Sequence, residues 1–289
     1  MNKETDDVRE KHMNAEANKI SETEKDAGSG IKSEDEGKIN SGKDSDDEII
    51  LELIDLKKSF GSNTVLKDIN LSVKKGETIV VLGRSGTGKS VILKCIIGLI
   101  LPDSGNIKVF GQEFLNLPEA KENSLRTRMG FLFQSGALYD SMTVRQNLEF
   151  PIIRQSDYKK EDLTPKVTEA LENVGLEDAI DKVPSELSGG MQKRIGLART
   201  LMLKPEIILY DEPTTGLDPM TSNEISHLIL NMQKKYNVTS MIVTHDMACA
   251  KLVAHRIVVL KDGIFAAEGS YEELAKSEDE FVKGFFEFD

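Results

Sequence analysis

Short apolar runs recur along the chain, each bounded by glycine, proline or polar residues. Four of them have the length and composition of strands buried on both faces of a sheet. They lie at residues 78–82, 129–133, 207–212 and 240–243. Between them, apolar residues at helical spacing predict helices at 91–100 and 165–174, and a further helix that Thr143 caps and that continues to Phe150. Strands that alternate with helices predict an α/β fold.

Three regions depart from this alternation. Near the start, residues 49–56 have the pattern of a strand, and 65–73 have the pattern of a strand pair. Near the end, 256–260 and 264–267 flank an Asp-Gly pair and predict a hairpin. Residues 137–176 show helical periods with charged faces, which indicates a helical insertion in the α/β domain.

The strand at 78–82 leads into a glycine-rich loop. Gly83, Gly88, Lys89 and Ser90 fit the spacing G-x-x-x-x-G-K-[ST]. Glycines let successive N–H groups turn towards one point, and the helix that begins near Lys89 adds its positive dipole end there. The Lys89 ammonium can then reach β- and γ-phosphates, and the Ser90 hydroxyl can bind Mg²⁺. The segment therefore predicts a nucleotide phosphate site.

A second glycine pair also lies at a predicted helix N-terminus. Ser188, Gly189 and Gly190 precede a helix whose apolar residues begin at Met191. A helix N-terminus is a ready anion site. Taken alone, however, the pattern is better explained by an ordinary serine N-cap.

Polar side chains follow three of the predicted strands. Gln134 comes after 129–133, Asp211 and Glu212 end the strand at 207–212, and His245 follows 240–243. Parallel α/β sheets bind ligands at these carboxyl ends. Alternation along the strand sends Asp211 and Glu212 to different faces, so one can support Mg²⁺ while the other polarises a water. Gln134 is placed to reach Mg²⁺ or that water. His245 is placed to reach a γ-phosphate, with a structural role as its alternative.

Aromatic residues are few, and two groups of them have candidate roles. Phe60 precedes the phosphate-loop strand and offers a platform for a nucleotide base, a core position being the alternative. Phe281, Phe285 and Phe288 are spaced i, i+4, i+7 on one helix face. This stripe packs on its own domain or contacts a partner.

Composition narrows the class of protein. The formal net charge is −12 and the pI is near 5.0, which argues against nucleic acid as a partner bound through bulk charge. Residues 1–50 hold 8 Lys and Arg against 15 Asp and Glu, and no aromatic residue precedes Phe60. So little apolar surface predicts a disordered acidic tail over 1–48. The tail does not have the pattern of a secretory signal.

Two further expectations concern the compartment. Cys95 and Cys249 lie far apart without neighbouring metal ligands, which predicts buried thiols in a reducing environment. The longest apolar run, at 91–101, contains Lys94 and is much shorter than the roughly 20 residues that span a bilayer. We therefore expect that the chain does not cross a membrane by itself.

These motifs together resemble the nucleotide-binding subunit of ABC transporters. The phosphate loop, Gln134, the segments LSGGM and ILYDEP, a Gly-Leu-Asp turn ending at Asp218, and His245 follow that family's order and spacing over about residues 50–275. The resemblance implies a P-loop NTPase core of ABC-ATPase type with an antiparallel β subdomain and a helical subdomain at about 137–200. The ATPase domain then covers 49–275, and a C-terminal helical extension covers 276–289.

The same resemblance implies ATP and Mg²⁺ as cofactors. Adenine would stack on Phe60. The expected phosphate-binding residues are Gly83, Arg84, Ser85, Gly86, Thr87, Gly88, Lys89, Ser90, Val91, Ser188, Gly189 and Gly190. Ser90, Gln134 and Asp211 would hold Mg²⁺. Glu212 resembles the catalytic base, with Lys89, Gln134 and His245 as further catalytic residues, and Asp218 the D-loop aspartate. Met191 replaces the glutamine of many relatives, but Ser188 and backbone N–H groups make the phosphate contacts there.

The resemblance also implies partners. The segment 188–190 would face ATP held by a second copy, which gives a C2 homodimer with two sandwiched nucleotides. Permease subunits would dock in a groove that Ala137, Leu138, Tyr139 and Met142 help to line. The chain would then act as a peripheral protein at the cytoplasmic face of the inner membrane.

The transported molecule is indicated by short runs. FQSGALY at 133–139 and Pro-Ser-Glu at 184–186 are similar to the ATPases of Mla/Mce-type systems, which move phospholipid or other lipid between bacterial membranes. An MCE-domain lipid-binding subunit is then a further expected partner. The alternatives are the ATPase of a small-solute importer, such as an amino-acid system, and a soluble ABC ATPase that remodels a protein or ribosomal complex.

Overall fold

A computed structural model describes residues 48–155, 159 and 161–286. The predicted acidic tail, apart from its last residue, lies outside this part of the chain, and so does Phe288 of the aromatic stripe.

Two sheets organise the described residues. Their strands are β1 (Ile49–Phe60), β2 (Asn63–Lys74), β3 (Thr78–Leu82), β4 (Ser104–Val109), β5 (Gln112–Glu113), β6 (Met129–Leu132), β7 (Ile207–Asp211), β8 (Thr239–Thr244), β9 (Arg256–Lys261) and β10 (Ile264–Gly269). The larger sheet has the order β10-β9-β3-β8-β7-β6, and the smaller has the order β2-β1-β4-β5. All pairs of the larger sheet are parallel except the β9–β10 hairpin. The smaller sheet is antiparallel.

The helices follow the predicted alternation. They are α1 (Lys89–Ile96), α2 (Glu119–Thr127), α3 (Val144–Ile153), α4 (Thr164–Glu172), α5 (Gly189–Leu201), α6 (Pro219–Tyr236), α7 (Met247–Val253), α8 (Tyr271–Leu274) and α9 (Glu280–Phe286). Short 3₁₀ turns lie at Phe114–Asn116, Glu177–Ala179 and Pro184–Glu186.

Both faces of the larger sheet are covered, which explains its continuous apolar strands. Along β3, Ile79 and Val81 pack with α1 and the antiparallel sheet. The alternate residues Val80 and Leu82 pack with α6 and α7 on the opposite face. Leu82, the last residue of β3, pairs with Thr244, the last residue of β8, and Asp211 at the end of β7 pairs with Val243 of β8. The carboxyl ends of β3, β7 and β8 therefore lie side by side. The polar residues that follow these strands therefore meet at one edge.

Two local predictions differ from the structure. The segment 65–73 lies in one long strand, β2, and not in a strand pair. The predicted helix at 91–100 ends at Ile96, because Gly98 takes a left-handed φ of 76°. The amides of Leu99 and Ile100 then donate to the Lys94 carbonyl and close the helix end.

The helices α3, α4 and α5 share an apolar core of their own. It includes Val144, Leu148, Val167, Leu171 and Ile195. At its start, the predicted Thr143 cap is present as a full capping box, in which the Thr143 and Gln146 side chains each accept a backbone N–H of the other residue. This helical group joins β6 to β7, and it positions the segment 188–190 at the start of α5.

Buried thiols and the C-terminal helix agree with the sequence. Burial raises the pKa of Cys95 to about 11 and of Cys249 to about 12, so both thiols are protonated at neutral pH. Phe281 and Phe285 pack against the core on the α6–α7 side of the sheet, which is the first of the two alternatives for this stripe. In the part of the chain that the structure describes, no helix is both long and apolar enough for a bilayer span.

Candidate active site

A cleft of about 480 Å³ opens where the carboxyl ends of the central strands meet. Ten of the predicted site residues line it: Phe60, Ser85, Gly86, Gly88, Lys89, Ser90, Val91, Gln134, Glu212 and His245. The antiparallel sheet, the loop after β3, and the ends of β6, β7 and β8 all contribute. Residues far apart in sequence thus form one site.

The loop from 83 to 88 curls around the Lys89 ammonium. Lys89 is buried, and its Nζ donates to the carbonyls of Gly83 at 2.7 Å and Arg84 at 3.2 Å. Thr87 Oγ1 donates to the Arg84 carbonyl at 2.8 Å and tightens the turn. Gly88 has a φ of 104°, and a Cβ on it would lie 2.5 Å from Val65 Cγ1. Glycine is therefore required there by conformation and by space.

Ser90 and Asp211 form the candidate Mg²⁺ site. Ser90 Oγ donates to Asp211 Oδ1 at 2.6 Å. A hydroxyl, one carboxylate and the Gln134 amide oxygen are hard oxygen donors of the kind that Mg²⁺ prefers. Among the described residues, no three His, Cys, Asp or Glu side chains converge as a metal site. A cation here would therefore be completed by phosphate oxygens and water, as is usual for Mg²⁺ bound with a nucleotide.

Glu212 is held in an unusual conformation. Its φ is 50°, in the left-handed region, and its N–H donates to the Val243 carbonyl of β8 at 2.9 Å. The carboxylate is buried and has two charged or ionisable neighbours: Lys89 Nζ lies 3.1 Å from Oε1 and His245 Nδ1 lies 2.8 Å from Oε2. Thr215 Oγ1 also donates to Oε2 at 2.9 Å. A non-glycine left-handed residue costs about 1–3 kcal/mol and recurs at functional sites.

His245 and Phe60 are both exposed to the cleft. The His245 side chain is 49% exposed, and its Nδ1 lies 2.8 Å from Glu212 Oε2, so it faces the cleft and does not lie in the core. Phe60 is 48% exposed, with Lys58 Nζ 5.5 Å from its ring centroid. A core role for Phe60 is therefore excluded too, and its ring face is available to a planar ligand.

The segment 188–190 takes no part in this cleft. Ser188 and Gly189 are exposed, and Ser188 Oγ accepts the Met191 N–H at 3.3 Å as the N-cap of α5. Gly190 is buried, and a Cβ on it would lie 2.5 Å from Thr221 Cγ2. Gly190 thus allows α5 to approach the start of α6. The predicted second anion site presents its Ser188 end outward from this chain.

Two residues of the site were missed by the sequence analysis. Thr215 lines the cleft and binds the Glu212 carboxylate. Lys193, on α5, is buried and donates to the carbonyls of Thr215 at 2.6 Å and Glu212 at 3.5 Å. Burial lowers the pKa of the Lys193 ammonium from its ordinary value, and the charge of Glu212 opposes this. Thr215 could have been found from its position three residues after Glu212. Nothing in the sequence indicates that Lys193 is buried.

Comparison with known proteins agrees with this geometry. The ABC transporter family model matches residues 66–215. The probable ribonucleotide transport ATP-binding protein mkl of Mycobacterium leprae is 40% identical over 237 residues, which are 82% of this chain and 68% of that protein. The methionine import ATP-binding protein MetN of Brucella abortus is 37% identical over 220 residues, which are 76% of this chain and 59% of that protein.

A solved structure supports the same assignment. The ATP-binding cassette MJ0796, in a dimeric post-hydrolysis state bound to ADP and Pi, superimposes with a TM-score of 0.70 at 31% identity. The match covers 76% of this chain and 98% of that one. The predicted fold class is confirmed. The chain belongs to the ABC transporter family and carries its ATP-binding, ATP-hydrolysing cassette.

Proposed function

We propose that this chain powers the transport of phospholipid or another lipid between bacterial membranes, as the ATPase of an Mla/Mce-type system. The observation that carries the proposal is the segment 133–139. Its sequence is similar to that subfamily, and it leads from Gln134 in the cleft towards a groove on the helical group. The chain would act as a peripheral subunit at the cytoplasmic face of the inner membrane, with permease subunits and an MCE-domain subunit as partners.

The groove has the character of a protein docking site. It measures about 380 Å³, and its lining residues are Ser141, Met142, Gln146, Glu149, Phe150 and Ile153. Tyr139 lies beside it, 45% exposed, with its ring 4.7 Å from that of Phe150. Ala137 and Leu138, also expected here, are not among the lining residues, and Leu138 packs against the core of the helical group. Three apolar side chains share the lining with polar ones, and the Glu149 carboxylate pairs with Arg145 at 3.5 Å. A lining that mixes apolar and polar side chains suits an amphipathic permease helix.

The contacts of Lys89 support a role in ATP hydrolysis. Lys89 is paired with Glu212 at 3.1 Å, within a loop built to hold phosphates. ATP phosphates would compete with Glu212 for the ammonium, and the released carboxylate would then accept a proton from the attacking water. His245, at 2.8 Å from Glu212, would hold that carboxylate or the γ-phosphate. Mg²⁺ bound at Ser90 and Asp211 would neutralise the developing phosphate charge.

The exposed start of α5 supports a homodimer. Ser188 and Gly189 are exposed at a helix N-terminus, where N–H groups attract anions. In a C2 dimer this terminus would face ATP in the partner's cleft, so each nucleotide would touch both chains. Asp218 caps α6 beside this surface by accepting the N–H groups of Met220 and Thr221.

The substrate is tested by isolating the assembled transporter. A tagged Glu212→Gln chain is purified from detergent-solubilised native membranes, and its proteins and lipids are identified by mass spectrometry. We expect a multi-span permease, an MCE-domain protein and bound phospholipid. Recovery of only soluble partners would refute a transport role.

The groove is tested by a matched pair of variants. Ile153→Asp places a charge on the 46% exposed groove residue, and Ile264→Asp does the same at a 44% exposed residue of β10, at the opposite edge of the larger sheet from β6. We expect the first to lose the permease and the second to retain it, with ATP hydrolysis by the isolated chain unchanged in both. Equal retention of the permease would remove the groove from the proposal.

A small-solute importer is the second candidate. The similarity to a methionine import protein favours it. In that case the same purification would recover a solute-binding protein and no MCE-domain protein.

A further inference from the structure

Helix α5 carries a buried cation, Lys193, whose ammonium contacts the turn 212–215 that follows β7. Lys193 is 5% exposed, although the next residue, Arg194, reaches the surface and pairs with Glu224 at 2.6 Å. Burying an ammonium is costly unless its donors are satisfied. Here the donors bind carbonyl oxygens, those of Thr215 at 2.6 Å and Glu212 at 3.5 Å.

These two carbonyls bracket the turn that aims the Glu212 side chain. Glu212 sits at φ 50°, a conformation that only surrounding contacts maintain. Thr215, at the other end of the turn, donates its hydroxyl to the Glu212 carboxylate. One ammonium therefore holds both the backbone of Glu212 and the residue that orients its side chain.

We propose that Lys193 is a positioning residue for ATP hydrolysis, which ties helix α5 to the turn 212–215 and thereby sets the Glu212 carboxylate in place. Lys193 acts through Glu212 and is not among the residues that line the cleft. The proposal rests on the assignment of Glu212 as the base.

The far end of the same helix contacts the loop that follows β6 and carries Gln134. Arg199 donates to the carbonyls of Ala137 at 2.9 Å and Gly136 at 3.2 Å, next to the Gln134 loop. A Cβ on Gly196 would lie 3.0 Å from the Gly136 carbonyl, so helix and loop are in close contact. A movement of α5 would therefore displace both loops, and Lys193 is the link to the one that carries Glu212.

The test compares steady-state ATP hydrolysis by four full-length variants. Lys193→Met removes the donor and keeps the chain length, and Lys193→Arg keeps a donor. Arg194→Met is the matched control on the same helix, and Glu212→Gln reports on the base itself. Thermal melting is measured for each. If Lys193→Met melts below the assay temperature, Lys193→Gln replaces it.

We expect kcat of Lys193→Met to fall 10- to 100-fold, the equivalent of one hydrogen bond from a charged group, with the KM for ATP within about twofold. Lys193→Arg should recover kcat to within about threefold, and Arg194→Met should match the parent. The proposal would be overturned if kcat of Lys193→Met stayed within twofold of the parent, or if its KM for ATP changed by as large a factor as kcat. It would also be overturned if Lys193→Arg did not recover kcat. Full turnover by Glu212→Gln would instead show that Glu212 is not the base.

Discussion

Replacing Glu212 by glutamine separates the proposed base role of this carboxylate from its ion pair with Lys89. Glutamine keeps the size of the side chain and an oxygen for the Thr215 hydroxyl, which lies 2.9 Å from Oε2, but it cannot accept a proton from water. A positioned general base contributes about 10²- to 10⁴-fold to a rate. We therefore expect ATP turnover to fall by that factor.

ATP binding should change in the opposite direction. Lys89 Nζ lies 3.1 Å from Glu212 Oε1, and the two side chains are only 5% and 10% exposed. At an effective dielectric constant of about 20, unit charges at this separation attract by about 5 kcal/mol before the cost of desolvation. Phosphates must draw Lys89 away from this partner. With glutamine at position 212, Lys89 has no charged partner to leave when ATP binds. If this saves about 1–2 kcal/mol of the attraction, ATP binds roughly 5- to 30-fold tighter.

Two assays measure these effects. Phosphate release gives the turnover, and equilibrium titration with a fluorescent ATP analogue gives the affinity. Glu206→Gln is the control, because Glu206 is a 42% exposed carboxylate paired with Arg128 at 2.6 Å on the surface. Turnover of Glu212→Gln within tenfold of the parent would refute the base assignment. Weaker ATP binding would refute the competition for Lys89.

Four further predictions follow from single contacts. Phe60→Ala should weaken ATP binding by about 1–3 kcal/mol, which raises the Kd about 5- to 150-fold, while Phe60→Tyr stays near the parent, as measured by the same titration. Gly88→Val should abolish nucleotide binding in a chain that still folds by circular dichroism, because its Cβ would meet Val65 and its φ is 104°. Thr143→Ala should lower the free energy of unfolding in urea by about 1 kcal/mol through loss of the capping box. Hydrogen bonds from Thr221 lower the pKa of Asp218 below its ordinary 3.8, so its contribution to stability is complete above that pH and is lost as the pH falls through the lowered value. Asp218→Asn should therefore weaken the acid dependence of the melting temperature.

Local features of the fold could be predicted because their causes are local. The capping box at Thr143 needs only a glutamine three residues later, and the hairpin between β9 and β10 needs only an Asp-Gly pair between apolar runs. The end of α1 was mispredicted for a related reason. Apolar residues continue to Leu101, but the left-handed Gly98 stops the helix at Ile96.

Exposure decided where two single residues lie relative to the core. The sequence left Phe60 open between a core position and a base platform, and His245 open between a structural and a catalytic role. Both are about half exposed at the same cleft. Exposure depends on which elements pack over a residue, and those elements are distant in sequence.

Lys193 shows the limit of periodicity most clearly. The apolar residues Met191, Ile195 and Ala198 define one face of α5, and Lys193 lies off that face next to Arg194. A single helix with this pattern predicts an exposed lysine. The turn after β7 covers it and supplies two carbonyls, so a charge that looks solvated becomes buried.

The sequence by itself determined the α/β class, the phosphate loop and the identity of the polar residues after three strands. Each of these depends on residues that are close in sequence: the phosphate loop on glycine conformation, the fold class on the spacing of apolar residues, and the polar residues on their position directly after a strand. Only the tertiary structure decided that Lys89 pairs with Glu212 and that Ser90 binds Asp211. It also decided that α5 contacts both the turn 212–215 and the loop that carries Gln134. Those contacts join residues between 19 and 123 positions apart, and packing alone sets such distances.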